Sequence, residues 1–358
     1  MRSLDLRIMG FAPSGRQRNP PAMPLGILAG LVTCALWGLT FVAPRAVAPF
    51  TTWDLTVARY LVFGAMSAAL MLHPRLRPRG LGPRRLVTGL LLGWVGYVAY
   101  FVAAAFAVRS AGAAIPPVVI GTMPVVLPVI ANLRERALPW RRLALPLAAI
   151  AAGVALVDAA ALAQAPPENR EAVWLGTAFA GLALVIWIAY GLVNAAVMRA
   201  PDAPDGLRWT GIQGLGAALG CLPLLPLVSF GDGAPVSERE WQVFAAWALL
   251  MGVVGSWFAT WSWMVAARRL PLALAAQLIV AETVFGLVYG FLFEARWPSA
   301  AEAAGCALQL GGVAAATLTF GRAARAAVAV TATPRPEPPA PAPFAAGCGA
   351  GRDTGAVR

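Results

Sequence analysis

The sequence contains no lysine, a single histidine (His73) and four cysteines, Cys34, Cys221, Cys306 and Cys348. Charged residues make up only 12% of its 358 positions, whereas soluble chains carry roughly a quarter. That leaves too little ionic surface for a water-soluble domain of this length. With one histidine, and no cysteines at ligand spacing, a structural zinc site or a Ser-His-Asp triad has little material. No metal and no cofactor are expected. Three of the cysteines fall inside apolar segments, as small lipid- or helix-facing residues, and His73 closes a segment as an interfacial residue. A Gly-rich Walker loop is also missing, which excludes ATP-driven work by this chain alone. The net charge is +12 and every one of the 28 basic residues is arginine. These arginines lie between apolar segments and form no stripe, so the charge does not indicate nucleic acid as a partner. With 30 prolines and abundant alanine, the arginine-only usage reflects compositional bias, not an anion-binding device.

What the chain has instead is apolar residue in long blocks: 59% of positions, with a mean hydropathy of +0.70. Ten apolar segments can be marked, at 25–44, 54–72, 86–107, 113–132, 143–161, 172–197, 209–230, 242–267, 271–293 and 303–320. In a hydrocarbon core, backbone groups must be satisfied within the segment, which favours helices of about 20 apolar residues. The fold class expected is therefore all-α integral membrane. The fourth segment carries Pro116, Pro117, Pro124 and Pro128, and can still span if neighbouring helices cover its freed carbonyls. Residues 1–24 are polar and basic, and the segment after them is too long for a signal-peptide core. They read as a cytoplasmic tail. Residues 321–358 are rich in Pro, Ala and Gly and are expected to form a disordered cytoplasmic tail.

Orientation follows from arginine counting. With a cytoplasmic N-terminus, the inside regions hold 22 arginines and the outside regions 5, namely Arg45, Arg109, Arg170, Arg239 and Arg296. Arg59 alone lies within a segment. Consistent alternation over ten segments fits the positive-inside rule, and a miscounted helix would break it.

The chain also repeats internally. Residues 122–155 align without a gap on 281–314, with 10 identities in 34 positions, among them Leu133/Leu292, Glu135/Glu294, Pro139/Pro298 and Gly153/Gly312. At an offset of 150, Gly26 matches Gly176 and Trp37 matches Trp187. An odd number of spans per copy forces the second copy into the membrane upside down. The expectation is ten transmembrane helices as two inverted five-helix repeats, 25–161 and 172–320, with a site where the halves meet near the midplane.

With Trp37-Gly38 in the first segment, Arg59 early in the second, the proline-containing fourth, then Ala281-Glu282-Thr283-Val284-Phe285, Phe293-Glu294, Gly305 and Gly312, the chain resembles the EamA-type permeases of the drug/metabolite transporter superfamily. The resemblance covers roughly residues 26–320 as two EamA repeats. Thr283 stands where the family often has proline, and Phe293 where it often has glycine. What it implies is secondary transport, commonly export of amino acids or related metabolites across the cytoplasmic membrane, and not enzymatic activity.

Several residues qualify for a substrate cavity. Thr33, Trp37, Thr40 and Pro44 share one face of the first helix, as do Trp187, Tyr190, Gly191 and Asn194 in the sixth. Lipid-facing positions have no use for Thr, Tyr and Asn at this depth. A cavity is favoured over plain interhelical hydrogen bonding because both halves present comparable faces. Trp94, Tyr97 and Tyr100, with Trp257 and Trp261, form further aromatic faces able to enclose an organic substrate. Glu282 falls at the midpoint of its segment, where a carboxylate is expensive unless paired, hydrated or protonated. It is either a proton acceptor or substrate contact, or a structural carboxyl bonded to a neighbouring helix. Arg59 either snorkels to the headgroups, the preferred reading, or points inward toward a substrate carboxylate. If both face inward, an Arg59–Glu282 pair can form. The partners expected are a small-molecule substrate, the bilayer and protons coupled through Glu282; self-association as a homo-oligomer stays open. A membrane-embedded enzyme or lipid-handling protein using the same cavity is the alternative. The topology predicts that fluorescent-protein fusions at either terminus fluoresce while alkaline-phosphatase fusions there stay inactive. The reverse pattern would overturn the orientation.

Overall fold

The computed structural model describes residues 22–332 apart from 79, 136–138, 201, 232–234 and 271. Among the described residues all regular structure is helical, as it must be where no solvent is available to the backbone. The principal helices are α1 (Ala22–Gly38), the one-turn α2 (Ala43–Ala46), α3 (Thr52–Met71), α4 (Pro83–Gly93), α5 (Tyr100–Ala111), α6 (Ile115–Ile120), α7 (Met123–Glu135), α8 (Arg141–Gln164) and α9 (Arg170–Arg199). They continue with α10 (Gly206–Cys221), α11 (Glu238–Leu249), α12 (Ala259–Arg269), α13 (Leu272–Phe293) and α14 (Ala300–Ala332). Stretches of π-helix, Trp94–Ala99 and Leu250–Phe258, join α4 to α5 and α11 to α12 without a break.

Eight of the resulting helices among the described residues are long and apolar enough to cross a membrane. Two further apolar helices, Ile115–Val126 and Leu278–Phe293, are shorter. The chain is therefore a multi-pass helical membrane protein. The shorter of these two apolar helices has a local cause. Pro116 and Pro117 sit in the first turn of α6 and Pro124 in the first turn of α7, positions where a missing N–H costs nothing. The apolar run 113–132 consequently folds as two pieces meeting at Gly121 and Thr122.

Helix starts are set by short polar motifs. Thr51 and Asp54 form a capping box at α3, with Asp54 accepting from the Thr51 N–H at 2.7 Å and Thr51 Oγ1 from the Asp54 N–H at 3.2 Å. Ser237 with Glu240 does the same at α11, and Ser299 with Glu302 at α14. One expectation needs correction. The tail assigned from residue 321 begins as helix, because α14 runs unbroken to Ala332; residues 333–358 lie outside those described, as do residues 1–21.

Packing joins helices distant in sequence. The most extensive partnerships are α8 with α14, α5 with α9, α3 with α10, and α1 with both α12 and α13, followed by α4 with α10, α3 with the π stretch Leu250–Phe258, and α6 with α9. Small residues set these distances. A Cβ on Gly153 of α8 would lie 2.6 Å from the Gly305 carbonyl oxygen of α14, and one on Gly312 would lie 2.8 Å from the Pro146 carbonyl oxygen of α8. Gly26 presses on Arg269 and Leu270 at the end of α12, and Gly176 on Ala111 at the end of α5. The two nearest partner atoms at Gly153, Gln309 N and Gly305 O, are backbone and cannot rotate away. Gly153→Leu is therefore expected to destabilise the α8–α14 seam by about 1–3 kcal/mol. Thermal unfolding in detergent checks this, and an unchanged midpoint would show that the seam is looser than described.

Candidate functional site

The sequence stripes on the first and sixth apolar segments meet. Trp37 on α1 and Trp187 on α9 pack edge to face, ring centres 5.8 Å apart. Trp187 stacks nearly flat on Tyr190 at 5.0 Å and lies 5.0 Å from Tyr100. Tyr190 in turn meets Tyr97 at 5.8 Å. Thr40, three residues on from Trp37, is buried. Seven of the residues named from the sequence thus belong to one aromatic cluster or its edge, since Trp257 also packs against the same core as Trp187 and Tyr97. Trp263, not singled out from the sequence, completes it at 5.9 Å from Trp37.

A polar chain runs through the cluster. Asn194 Oδ1 accepts from Trp209 Nε1 at 2.7 Å and from Gln213 Nε2 at 3.0 Å. Gln213 Oε1 accepts from the Tyr190 hydroxyl at 2.9 Å. That hydroxyl lies 3.4 Å from the Tyr97 hydroxyl, itself 3.3 Å from Thr260 Oγ1. The chain links α9, α10, the π stretch Trp94–Ala99 and α12. Gln213 was missed because it is the lone mid-segment amide in its span, with no partner on a recognisable stripe. Asn194 here serves helix-to-helix bonding, as does Thr33, which donates to Ala29 O at 2.9 Å and reaches Ala259 O of α12 at 3.2 Å.

Arg59 does not snorkel. Its side chain is turned into the bundle and is 5% exposed. Nε donates to Ser256 Oγ at 3.0 Å, and the guanidinium carbon sits 4.4 Å from the Phe101 ring centre and 5.1 Å from that of Tyr60. Ser256 is positioned by the π stretch Leu250–Phe258, its hydroxyl donating to Met251 O five residues back at 2.8 Å. Nη1 is buried without a hydrogen-bond partner among the described residues. Ring faces are worth about 2 kcal/mol when desolvated, while a buried ion without a counter-ion costs several. The guanidinium is held in place but not neutralised.

Glu282 is 8% exposed. It lines a narrow recess with Phe41, Pro117, Gly121, Met123, Trp187 and Thr283, with room for about one water. Among the described residues no ion pair joins it to Arg59. Two expected residues stand apart from the cluster. Trp94 is 47% exposed and lies over Gly220 of α10, and Trp261 pairs with the exposed Phe258 at 5.5 Å.

Charged residues gather at one end of the bundle. Glu294, after α13, is bonded by Arg45 of α2 and by Arg296 Nε at 2.7 Å. Arg296 also grips Glu302 through both Nη atoms at 2.8 Å, and hydrogen bonding to Glu302 first, then Glu294, pushes its already high pKa further up. Arg109 donates to Phe50 O at 2.9 Å and Pro44 O at 3.3 Å. At the other end Arg85 bonds Asp202 at 2.6 Å and holds that carboxyl below its usual range.

In comparisons with known proteins, the chain is 32% identical over 301 residues to the inner membrane protein YtfF of Escherichia coli (strain K12), covering 80% of this chain and 93% of that protein. No family model matches. A crystal structure of another protein superposes with a TM-score of 0.51 at 23% identity, covering 84% of this chain and 99% of that one, a likeness of fold alone.

Asn194 tests whether the polar chain is structural. Asn194→Leu orphans the Trp209 and Gln213 donors, and should cost about 1–3 kcal/mol in detergent unfolding. An unaltered midpoint would mean that water replaces the amide and that the site is wetter than drawn.

Proposed function

This chain belongs to the family of the inner membrane protein YtfF, and from that premise we propose that it is a secondary carrier exporting a small metabolite, such as an amino acid or related compound, by alternating access. Counting each broken helix once gives ten crossings: α1, α3, α4–α5, α6–α7, α8, α9, α10, α11–α12, α13 and α14. The packing partners support two inverted five-helix repeats. Exchanging each crossing with the one five places along turns α1 on α12 into α9 on α5, and α1 on α13 into α9 on α6; α3 on α10 and α8 on α14 map onto themselves. The matched glycines follow the same exchange, Gly26 with Gly176 and Gly153 with Gly312. So do the π stretches, which fall in the third and eighth crossings.

One observation carries the functional reading. The equivalent helices α1 and α9 turn equivalent tryptophans, Trp37 and Trp187, toward each other at the bundle centre, beside a buried carboxyl, Glu282. Inverted-repeat carriers place their sites at that junction. A carboxyl at the midplane, flanked by a recess of about one water, is suited to take a proton from one side and release it to the other. By the arginine count, the Arg45–Glu294–Arg296–Glu302 network lies on the outer face. It ties α2 to the start of α14 and closes that end, so export requires it to part. Membership of the EamA-type permeases rests on the sequence resemblance.

In proteoliposomes, Glu282→Gln is expected to abolish flux driven by a pH gradient while sparing exchange between equal pools. Trp37→Ala removes an edge-to-face pair worth about 0.5–1.5 kcal/mol and should lower flux several-fold. Unchanged flux in both variants would remove this site.

A further inference from the structure

We propose that Arg59 is the anchoring site for the carboxylate of the transported molecule, so that the substrate class is small organic carboxylates. The inference rests on the carrier reading and deepens it. Four features of the guanidinium point to an absent anion. It is buried within the bundle, where an arginine stays charged. Its neighbours are neutral: the Ser256 hydroxyl on Nε and the ring faces of Phe101 and Tyr60. Its Nη1 is a buried donor with no hydrogen-bond partner among the described residues. No carboxylate among the described residues forms an ion pair with it, Glu282 included.

The geometry also selects the kind of anion. The Tyr60 and Phe101 rings lie against the guanidinium carbon and Ser256 occupies Nε, which leaves the Nη nitrogens to meet an anion. Planar carboxylates suit those nitrogens, accepting two parallel N–H bonds. The rings that hold Arg59 belong to α3 and α5, and the serine belongs to the π stretch before α12. A carboxylate bound there would draw together crossings of both repeats, which is how substrate binding can favour the exchange between outward and inward states.

The experiment measures the unfolding midpoint of the purified full-length protein in detergent with a panel of small carboxylates, aliphatic and aromatic, each beside its own primary amide, plus sodium chloride and nitrate. Wild-type protein is expected to be stabilised by carboxylates and not by the amides or the inorganic salts. Arg59→Met should abolish that difference, weakening carboxylate affinity about tenfold or more, as loss of charge-assisted hydrogen bonds does. Arg59→Lys keeps the charge without the fork and should fall between. Without ligand, Arg59→Met should unfold at the same or a higher temperature than wild type, since it removes an unneutralised charge; a structural arginine would move the midpoint down. Equal responses to carboxylates and amides, stabilisation by chloride alone, or a carboxylate response surviving in Arg59→Met would each overturn the assignment. If Arg59→Met cannot be purified, Ser256→Ala, which releases Nε, must weaken the carboxylate response or the assignment falls. Counterflow of the stabilising carboxylate is read separately: binding without movement defeats the carrier and leaves the site standing.

Discussion

Water is missing from the interior of a bilayer, and nearly every polar contact in this protein answers to that fact. A donor or acceptor left alone there costs several kcal/mol. Hydroxyls on the helices therefore turn back to carbonyls, as Thr56 does to Thr52 O at 2.6 Å and Thr210 to Gly206 O at 2.9 Å. Others bridge helices, as Ser262 does to Ala29 O at 3.0 Å. Asn194, Gln213, Tyr190, Tyr97 and Thr260 satisfy one another in series. Against that background, an arginine with a buried nitrogen idle among the described residues and a glutamate with no ion pair among them stand out as places where the protein has kept an expense that packing alone would have removed.

Helical spacing was informative about faces and silent about neighbours. A 3.6-residue period puts Trp37 and Thr40 on one side of α1, and Trp187, Tyr190 and Asn194 on one side of α9, so the meeting of the two tryptophans was legible. The same period cannot say whether a polar residue on that face looks into a recess or into another helix. Asn194 and Thr33 took the second course. Trp94 shares a segment with Tyr97 but sits three residues away, and where the helix widens at that point the two part company. The distance of Arg59 from its span end measures reach to the headgroups but not the pull of Phe101 and Ser256, both remote in sequence, or of the ring of the adjacent Tyr60.

The architecture was legible to a similar depth. Composition and block length alone require helices in a membrane, and the prolines of residues 113–132 marked the weakest of them. How that segment breaks depends on which turn each proline occupies, and boundaries are set by residues just outside the apolar run, such as Ser299 and Glu302. Matched glycines were visible as identities in an alanine-rich chain, where such matches are cheap. Their meaning came only with the partner helix, because closeness of backbones is a property of pairs.

The wide turns at Trp94–Ala99 and Leu250–Phe258 left no signature in the sequence, yet they bear on how the molecule can move. In each, amide protons reach one carbonyl farther back than in the flanking helix. Tightening such a turn by one residue would swing everything beyond it by about 100°, without unfastening either end. The continuous helices α4–α5 and α11–α12 are thus not rigid staves but spindles with a slip joint at mid-length, and the joint before α12 is where Ser256 holds the arginine.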